Sequence, residues 1–461
     1  MNNNERLKVK SMGGGEVFRL LDSMCWQKVH QGDAVRVAPI DYNALMLDEL
    51  EQIEKFSPNC KDELKCLSYC IRRYLWKNNT EKLWELIAQL NILTKVLEEI
   101  FSPEEYWNQD TIIDYVKHLY SKGLFIGVTD EEIYGIGEGF ALGCLDSVAA
   151  YTLECLAPLL IGSNPLEITR LWNRIYQQTF RFGKRGIGIA ALSAVDIALW
   201  DILGKKAGLP VCSLLGKAHD CIYPYASAGY YAPGKTIEDL RKEAAGYKAQ
   251  GFQMMKMKVG GAQPGEDMER VAAVREVLGT DVKLAVDANN SWDYETALKM
   301  ARFFETQDVY FLEEPLSSDF WEESAKLAAE VDIPIAGYET ELTLHGLKPF
   351  IVHNGVDIVQ TDVIWTGGIS EARRIAMLAE AWGKMTVMHF SASMVSLAAN
   401  LQLALSMNSS KYIEYTLDEN PLRDRLSKAP VLMKDGVVKV PDLPGIGVDL
   451  DWDVVKEFQV Q

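Results

Sequence analysis

Basic excess is what this chain most clearly lacks. Its 47 Lys and Arg stand against 65 Asp and Glu, a net charge of −18 at pH 7. Nucleic acid and anionic membranes both call for a basic surface, so neither is an expected partner. A small anionic substrate stays open, because a local lysine pair and a metal outweigh distant surface charge. Long apolar runs are lacking too, and no stretch reads as a membrane span. The opening residues Met1-Asn2-Asn3-Asn4-Glu5-Arg6 lead into no apolar signal core, so a cytoplasmic protein is expected. Cysteine is missing from the second half: all eight lie between Cys25 and Cys221. Their one cluster, Cys60, Cys66 and Cys70, has no Cys-x-x-Cys element, which favours packed free thiols over a zinc site.

What is present is length and an ordinary globular balance. The 461 residues, 48% hydrophobic and 24% charged, suit two or three domains with a large core. Ala34–Ile40 could be a strand. From about 43 to 102, Leu45, Leu50 and Ile53, then Leu64, Leu67 and Ile71, then Leu83, Leu86 and Leu90 recur at helical spacing. These helices read as an added packing or oligomerisation element, and a homo-oligomer is expected. Leu124–Glu138 reads as a hairpin around an acidic turn. Helical patterns follow at Asp146–Leu160 and Ile168–Thr179. Ile187–Gly204 is an almost wholly apolar helix whose small residues permit close packing.

From Ile222 the chain becomes periodic. Short apolar runs end on Lys256, Asp287, Glu313, Glu339, Asp362, His389 and Glu414. The successive gaps are 31, 26, 26, 23, 27 and 25 residues, the size of a βα unit. With Ile222–Ala226 the runs number eight, which predicts a (β/α)8-type barrel whose active face lies at the strand C-termini. The eighth unit lacks a long helix after Glu414. A Pro/Gly-rich tail around Pro441–Gly447 is expected to run back to the front of the molecule.

The centre of this pattern is Met254-Met255-Lys256-Met257-Lys258-Val259. Side chains alternate along a strand, so Lys256 and Lys258 share one face and Met255 and Met257 the other. Two ammonium groups on a buried strand need compensation. The carboxylates ending the next runs supply it, with room for a metal between them.

Lys-x-Lys, Asp287-x-Asn289, Glu313-Glu314-Pro315, Gly337-x-Glu339, Gln360-x-Asp362 with Gly367-Gly368, and His389 fall in that order. This set resembles the enolase superfamily, in its mandelate racemase subgroup, over roughly residues 120–450. The resemblance implies a modified TIM barrel, (β/α)7β, with an α+β N-terminal capping domain, beside an extra N-terminal helical region. It divides the chain into 1–110, a capping domain 111–220 completed by the tail 430–461, and a barrel domain 221–429. It also implies a Mg2+-dependent enzyme acting on a small carboxylate by removing the α-proton. Asp287, Glu313 and Glu339 are hard oxygen donors that suit Mg2+, with Glu341 a rival for the third place. Lys258 is the expected base on one face, its pKa lowered by Lys256 and the metal. Lys256 is expected to hold the substrate carboxylate, Asn289 to donate to a substrate oxygen, and Glu414 to bond that carboxylate from the side away from the metal. His389, oriented by Asp362, is expected on the opposite face. Tyr338 stands where glycine is common and Thr361 where proline is common, which predicts a reshaped pocket.

Two opposed proton carriers allow two outcomes. Elimination of a β-hydroxyl gives an acid-sugar dehydratase, the favoured reading. Return of the proton gives a racemase or epimerase. A third reading is a non-catalytic assembly protein working through its N-terminal helices.

Overall fold

The computed structural model describes residues 124–129, 133–141 and 144–458. By its contacts the chain divides into two compact units, 1–117 and 118–461, and the described residues all fall in the second. The strand expected at Ala34–Ile40, the helices over 43–102 and the cluster Cys60, Cys66 and Cys70 lie outside them. Cys144, Cys155, Cys212 and Cys221 are free thiols.

The second unit opens with an antiparallel hairpin, β1 (Leu124–Val128) and β2 (Tyr134–Glu138). Helix α1 (Leu145–Tyr151) runs through a π-turn into α2 (Ala157–Leu160). Helix α3 (Ile168–Gln178) and the long α4 (Ile187–Ala207) follow, then the short α5 (Val211–Leu215). Gly135, Gly137 and Gly139 alternate along and just past β2. A Cβ at these positions would stand 2.1, 1.8 and 2.5 Å from the carbonyl oxygens of Ala198, Ala194 and Ala190. Glycine on the strand and alanine every fourth residue on α4 therefore let the two backbones touch.

By length and composition α4 could cross a membrane, which corrects the expectation that no run is long enough. Its apolar surface is instead spent inside the fold, with 83% of the most apolar window buried. Buried aliphatic side chains such as Ile189, Leu192 and Val195 each contribute about 1.5–3 kcal/mol over exposure. Asp201 on α4 ties three segments together. It accepts from Ile136 N at 2.9 Å and Ile446 N at 2.8 Å, and pairs with Lys205 at 2.7 Å. Val211 N donates to Gly445 O at 2.9 Å, so the tail returns to the front layer.

Eight parallel strands then close a barrel in the order β10-β3-β4-β5-β6-β7-β8-β9. They are β3 (Tyr223–Ala228), β4 (Met254–Lys258), β5 (Lys283–Asp287), β6 (Val309–Glu313), β7 (Ile335–Gly337), β8 (Ile358–Thr361), β9 (Met385–Met388) and β10 (Tyr412–Thr416). Helices α6 (Ile237–Ala249), α7 (Pro264–Leu278), α8 (Tyr294–Thr306), α9 (Trp321–Glu330), α10 (Thr343–Val352), α11 (Gly368–Ala381) and α12 (Met394–Ala404) join them. After β10 only a four-residue helix, Pro421–Asp424, stands in the eighth place. The architecture is thus (β/α)7β.

Tyr225, Met254, Ala285, Phe311, Ala336, Ile358 and Val387 fill the barrel floor. Residues two further along the same strands share their face and stand one layer higher. On β4, β5, β6, β8 and β9 that places Lys256, Asp287, Glu313, Gln360 and His389 above an apolar plug, and Glu414 joins them two past Tyr412, which packs against the floor. Met255, Met257 and Val259 pack into the outer core, as the alternation requires.

Candidate active site

Lys256 is the hub. Its ammonium, 1% exposed, lies 2.5 Å from Glu313 Oε1, 3.0 Å from Glu414 Oε1 and 3.4 Å from Asp287 Oδ2. Burial works against the charge, yet Glu313 and Glu414 hold its pKa well above lysine's ordinary value. Lys258, one step higher on the same face, meets Asp287 Oδ2 at 2.5 Å. Burial pulls Lys258 down and Asp287 more than offsets it, so its pKa is raised. Lys256 pulls it down, as expected, and the carboxylate in contact outweighs that pull.

The acids divide by their surroundings. Burial opposes ionisation of Asp287, and Lys256 and Lys258 overcome it, so its pKa is lowered. For Glu414 burial again opposes and Lys256 and His389 win, also lowering it. Burial and repulsion from Asp287 push Glu313 well above the carboxylate range. Glu339 is raised by burial against the pull of His389 and Lys256.

On the far side His389 Nδ1 lies 2.9 Å from Asp362 Oδ2. A carboxylate has no proton to give, so Nδ1 donates and Nε2 faces the mouth, 3.6 Å from Glu339 Oε1 and 4.0 Å from Glu414 Oε2. Burial pulls His389 down, but Glu339, Glu414 and Asp362 raise it to about 10. Phe140, just past β2, stacks on Trp365 with ring centres 3.7 Å apart, and Trp365 lies 6.3 Å from the His389 ring.

These acids also suit a divalent cation. Among the described residues no group of three His, Cys, Asp or Glu surrounds one point at metal range. The lysine ammoniums take up the facing oxygens of Asp287 and Glu313 instead. The donor set is nevertheless right: hard oxygens on the adjacent strand ends of β5, β6 and β7, with negative charge in excess of what the lysines balance. Glu339 Oε2 is buried without a hydrogen-bond partner, a position a cation would satisfy.

The positions expected from sequence fall as follows. Lys256, Lys258, Asp287, Glu313, Glu339, His389 and Glu414 converge, and Asp362 backs His389. Asn289 is exposed at the rim with φ +42°, its backbone N donating to Asp287 Oδ1 at 2.9 Å. Glu341 is turned toward Arg185, 4.0 Å away. The pocket is not reshaped by Tyr338 or Thr361. The Tyr338 hydroxyl lies 3.2 Å from Ser324 Oγ on α9, and its ring packs on Phe350 of α10 at 4.4 Å. Thr361 shares the outward face of β8 with Val359.

Gln360, named in the sequence only as part of the Gln360-x-Asp362 motif and given no role, donates from Nε2 to Glu313 Oε2 at 2.5 Å. Its place two residues before Asp362 was the available signal. Glu314, named in the Glu313-Glu314-Pro315 motif without a role, is buried with φ +42°. Glu314 accepts from Asn290 Nδ2 at 2.5 Å and Thr340 Oγ1 at 3.1 Å, and burial and Glu339 raise its pKa well above the ordinary value. A positive φ at a non-glycine carries strain that surrounding bonds must hold.

Comparison with known proteins gives two matching families. Residues 121–216 match the mandelate racemase / muconate lactonizing enzyme N-terminal domain, and residues 239–454 the enolase C-terminal domain-like family. Arabinonate dehydratase of Saccharolobus solfataricus is 44% identical over 72% of this chain and 88% of its own length. D-galactarolactone cycloisomerase of Agrobacterium fabrum is 32% identical over 70% of this chain and 88% of its own. The structure of a racemase from Streptomyces coelicolor A3(2) with bound magnesium superposes with a TM-score of 0.67, 28% identity, and coverage of 73% of this chain and 91% of that one.

Proposed function

The chain belongs to the enolase superfamily, in its mandelate racemase / muconate lactonizing branch, and from that premise we propose that it is a Mg2+-dependent acid-sugar dehydratase. The observation that carries this reading is the pair of opposed proton carriers. Lys258 on β4 and His389 after β9 stand three strands apart one way round the barrel and five the other, with the carboxylate cluster between them.

Asp287, Glu313 and Glu339 would hold the metal. Bound there, Mg2+ would supply Lewis-acid stabilisation of charge on a substrate carboxylate and take over the acids that now raise Lys258. Lys256 fixes that carboxylate as an ion pair, and Glu414 bonds it from the side away from the metal. Asn289 donates to a substrate oxygen at the rim. Lys258, once it no longer pairs with Asp287 and has given its ammonium proton to solvent, takes the α-proton as general base in the neutral amine form. Protonated His389 carries a proton on the nitrogen facing the mouth, because Nδ1 is turned to Asp362. It can deliver that proton to a β-hydroxyl, so that water leaves and a 2-keto-3-deoxy acid forms after tautomerisation. Asp362 keeps the imidazole in the orientation this transfer needs.

Dehydration needs an acid at the second position, and a protonated His389 with Nε2 toward the mouth can supply it. Racemase or epimerase chemistry is the second reading, favoured by the same two-faced arrangement. The 44% identity to an arabinonate dehydratase supports the first. The test is a screen of pentonates, hexonates and diacid sugars with Mg2+, assayed for 2-keto product and for α-proton exchange in deuterated water. Exchange with no keto product from any acid would replace the dehydratase with the racemase. Neither signal would sink both.

A further inference from the structure

Beyond the residues assigned above, one buried polar chain runs from the front hairpin to the His389–Asp362 dyad. It starts at Glu138, the last residue of β2, which is 6% exposed. Its Oε2 accepts from Ser393 Oγ at 2.6 Å and from Ser396 N at 2.9 Å, and its Oε1 accepts from Ser393 N at 3.4 Å. Ser393 is also the N-cap of α12, its hydroxyl accepting from Val395 N at 3.1 Å. A carboxylate from the hairpin thus sits on the first turn of α12, where unpaired N–H groups and the helix dipole favour negative charge.

The same helix presents Asn400 one further turn along. Asn400 is fully buried, where a polar side chain is costly unless its bonds are made. Its Nδ2 donates to Asp362 Oδ1 at 2.8 Å, and its Oδ1 accepts from Val363 N at 3.1 Å. Ile364 N donates to the same Asp362 oxygen at 3.0 Å. One oxygen of Asp362 is therefore held by two donors, and only the other is left for His389 Nδ1. A carboxylate held this way cannot rotate without breaking a buried bond.

We propose that Asn400 and Glu138 are positioning residues for the dyad, through which the front hairpin sets the direction of the His389 imidazole. This rests on the dyad reading given above. Neither residue touches the reacting atoms. Asn400 acts through Asp362. Glu138 acts through Ser393, which ends the short loop that begins at His389, and through the seating of α12 that brings Asn400 to its partner. Reseating α12 would let Asp362 turn, and the imidazole would lose its aim.

The test is proton NMR of the whole protein, in search of the low-field resonance of a shielded imidazole Nδ1–H bonded to a carboxylate. The resonance is assigned by its absence in His389→Asn. It is expected in the wild type, lost in Asn400→Leu and in Glu138→Leu, and kept in Glu138→Gln, whose amide oxygen can replace Oε2 as acceptor. Circular dichroism checks that each variant is folded, and Asn400→Ala replaces Asn400→Leu if the larger side chain does not fold. A resonance that disappears in His389→Asn but persists unchanged in the folded Asn400 variant overturns the inference and leaves the dyad standing. Persistence in Glu138→Leu removes the hairpin from the scheme. A wild type with no resonance that His389→Asn removes overturns the dyad itself.

Discussion

Replacing Lys256 with methionine removes the charge that the buried acids share while nearly keeping the side chain's length. Its ammonium faces three carboxylates at 2.5, 3.0 and 3.4 Å, and both sides are essentially dry, with Glu313 and Asp287 0% exposed. Breaking a buried ion pair by removing one partner costs about 3–5 kcal/mol, because the remaining charge is left unpaired. We expect a loss of that size for Lys256→Met at pH 8 without Mg2+. The sign with pH follows from the acids. Asp287 and Glu414 are lowered chiefly by Lys256, so without it their folded pKa values rise above the unfolded ones. Such groups bind a proton more tightly when folded. Their stabilisation is full below the unfolded carboxylate range and fades as pH rises through the folded value. The deficit should therefore shrink toward acid pH, by up to about 1.4 kcal/mol per unit for each extra proton held by the fold. Saturating Mg2+ should restore part of it, since a ligand at 100 times its Kd stabilises by about 2.7 kcal/mol. Urea unfolding followed by tryptophan fluorescence at pH 6 and 8, with EDTA or Mg2+, measures all three. A deficit below about 1 kcal/mol at pH 8, or one that grows toward acid pH, would refute Lys256 as the compensating charge.

Chelation should abolish activity on the acid found by the screen, and Glu313→Gln should weaken Mg2+ binding by calorimetry; full turnover in metal-free buffer contradicts the metal assignment. His389→Asn and Lys258→Ala should each lower dehydration by about 10²–10⁴-fold per group, with misplacement of the substrate adding to it. Near-normal kcat in His389→Asn leaves Lys258 as the sole proton carrier. Buried Asp196, on α4, is pushed up to about 7, by burial first, with Ser370 opposing. Its contribution to stability is full below about 3.8 and lost as pH rises through 7. Asp196→Asn should flatten this slope, gaining at most about 4 kcal/mol relative to wild type between pH 4 and pH 8. Parallel stability profiles for the two proteins would count against a titrating Asp196.

The eight barrel strands and the inward face of each were legible in the sequence because both depend on short-range rules. A strand's period of two is local, so Met254, Lys256 and Lys258 had to share a face whatever the rest of the chain did. The 23- to 31-residue spacing of polar strand ends likewise follows from the length of a βα unit. That rule stops where the strand stops. β7 ends at Gly337, with φ +148°, so alternation could not tell that Tyr338 turns out to the helices while Glu339 turns in, or separate Glu339 from Glu341. Tertiary structure decided everything that depends on distance between segments far apart in the chain. Which neighbour dominates Lys258 depends on the 2.5 Å contact with Asp287, which spacing alone could not give. By length and composition α4 could cross a membrane, and only the packing of the hairpin glycines and the barrel against it shows where its apolar surface goes. Glu138, Asp362, His389 and Asn400 are four buried polar residues with no common spacing. Only the packing of α12 between β2 and the end of β8 brings them into one chain, because a buried polar group must find its partner wherever the fold places it.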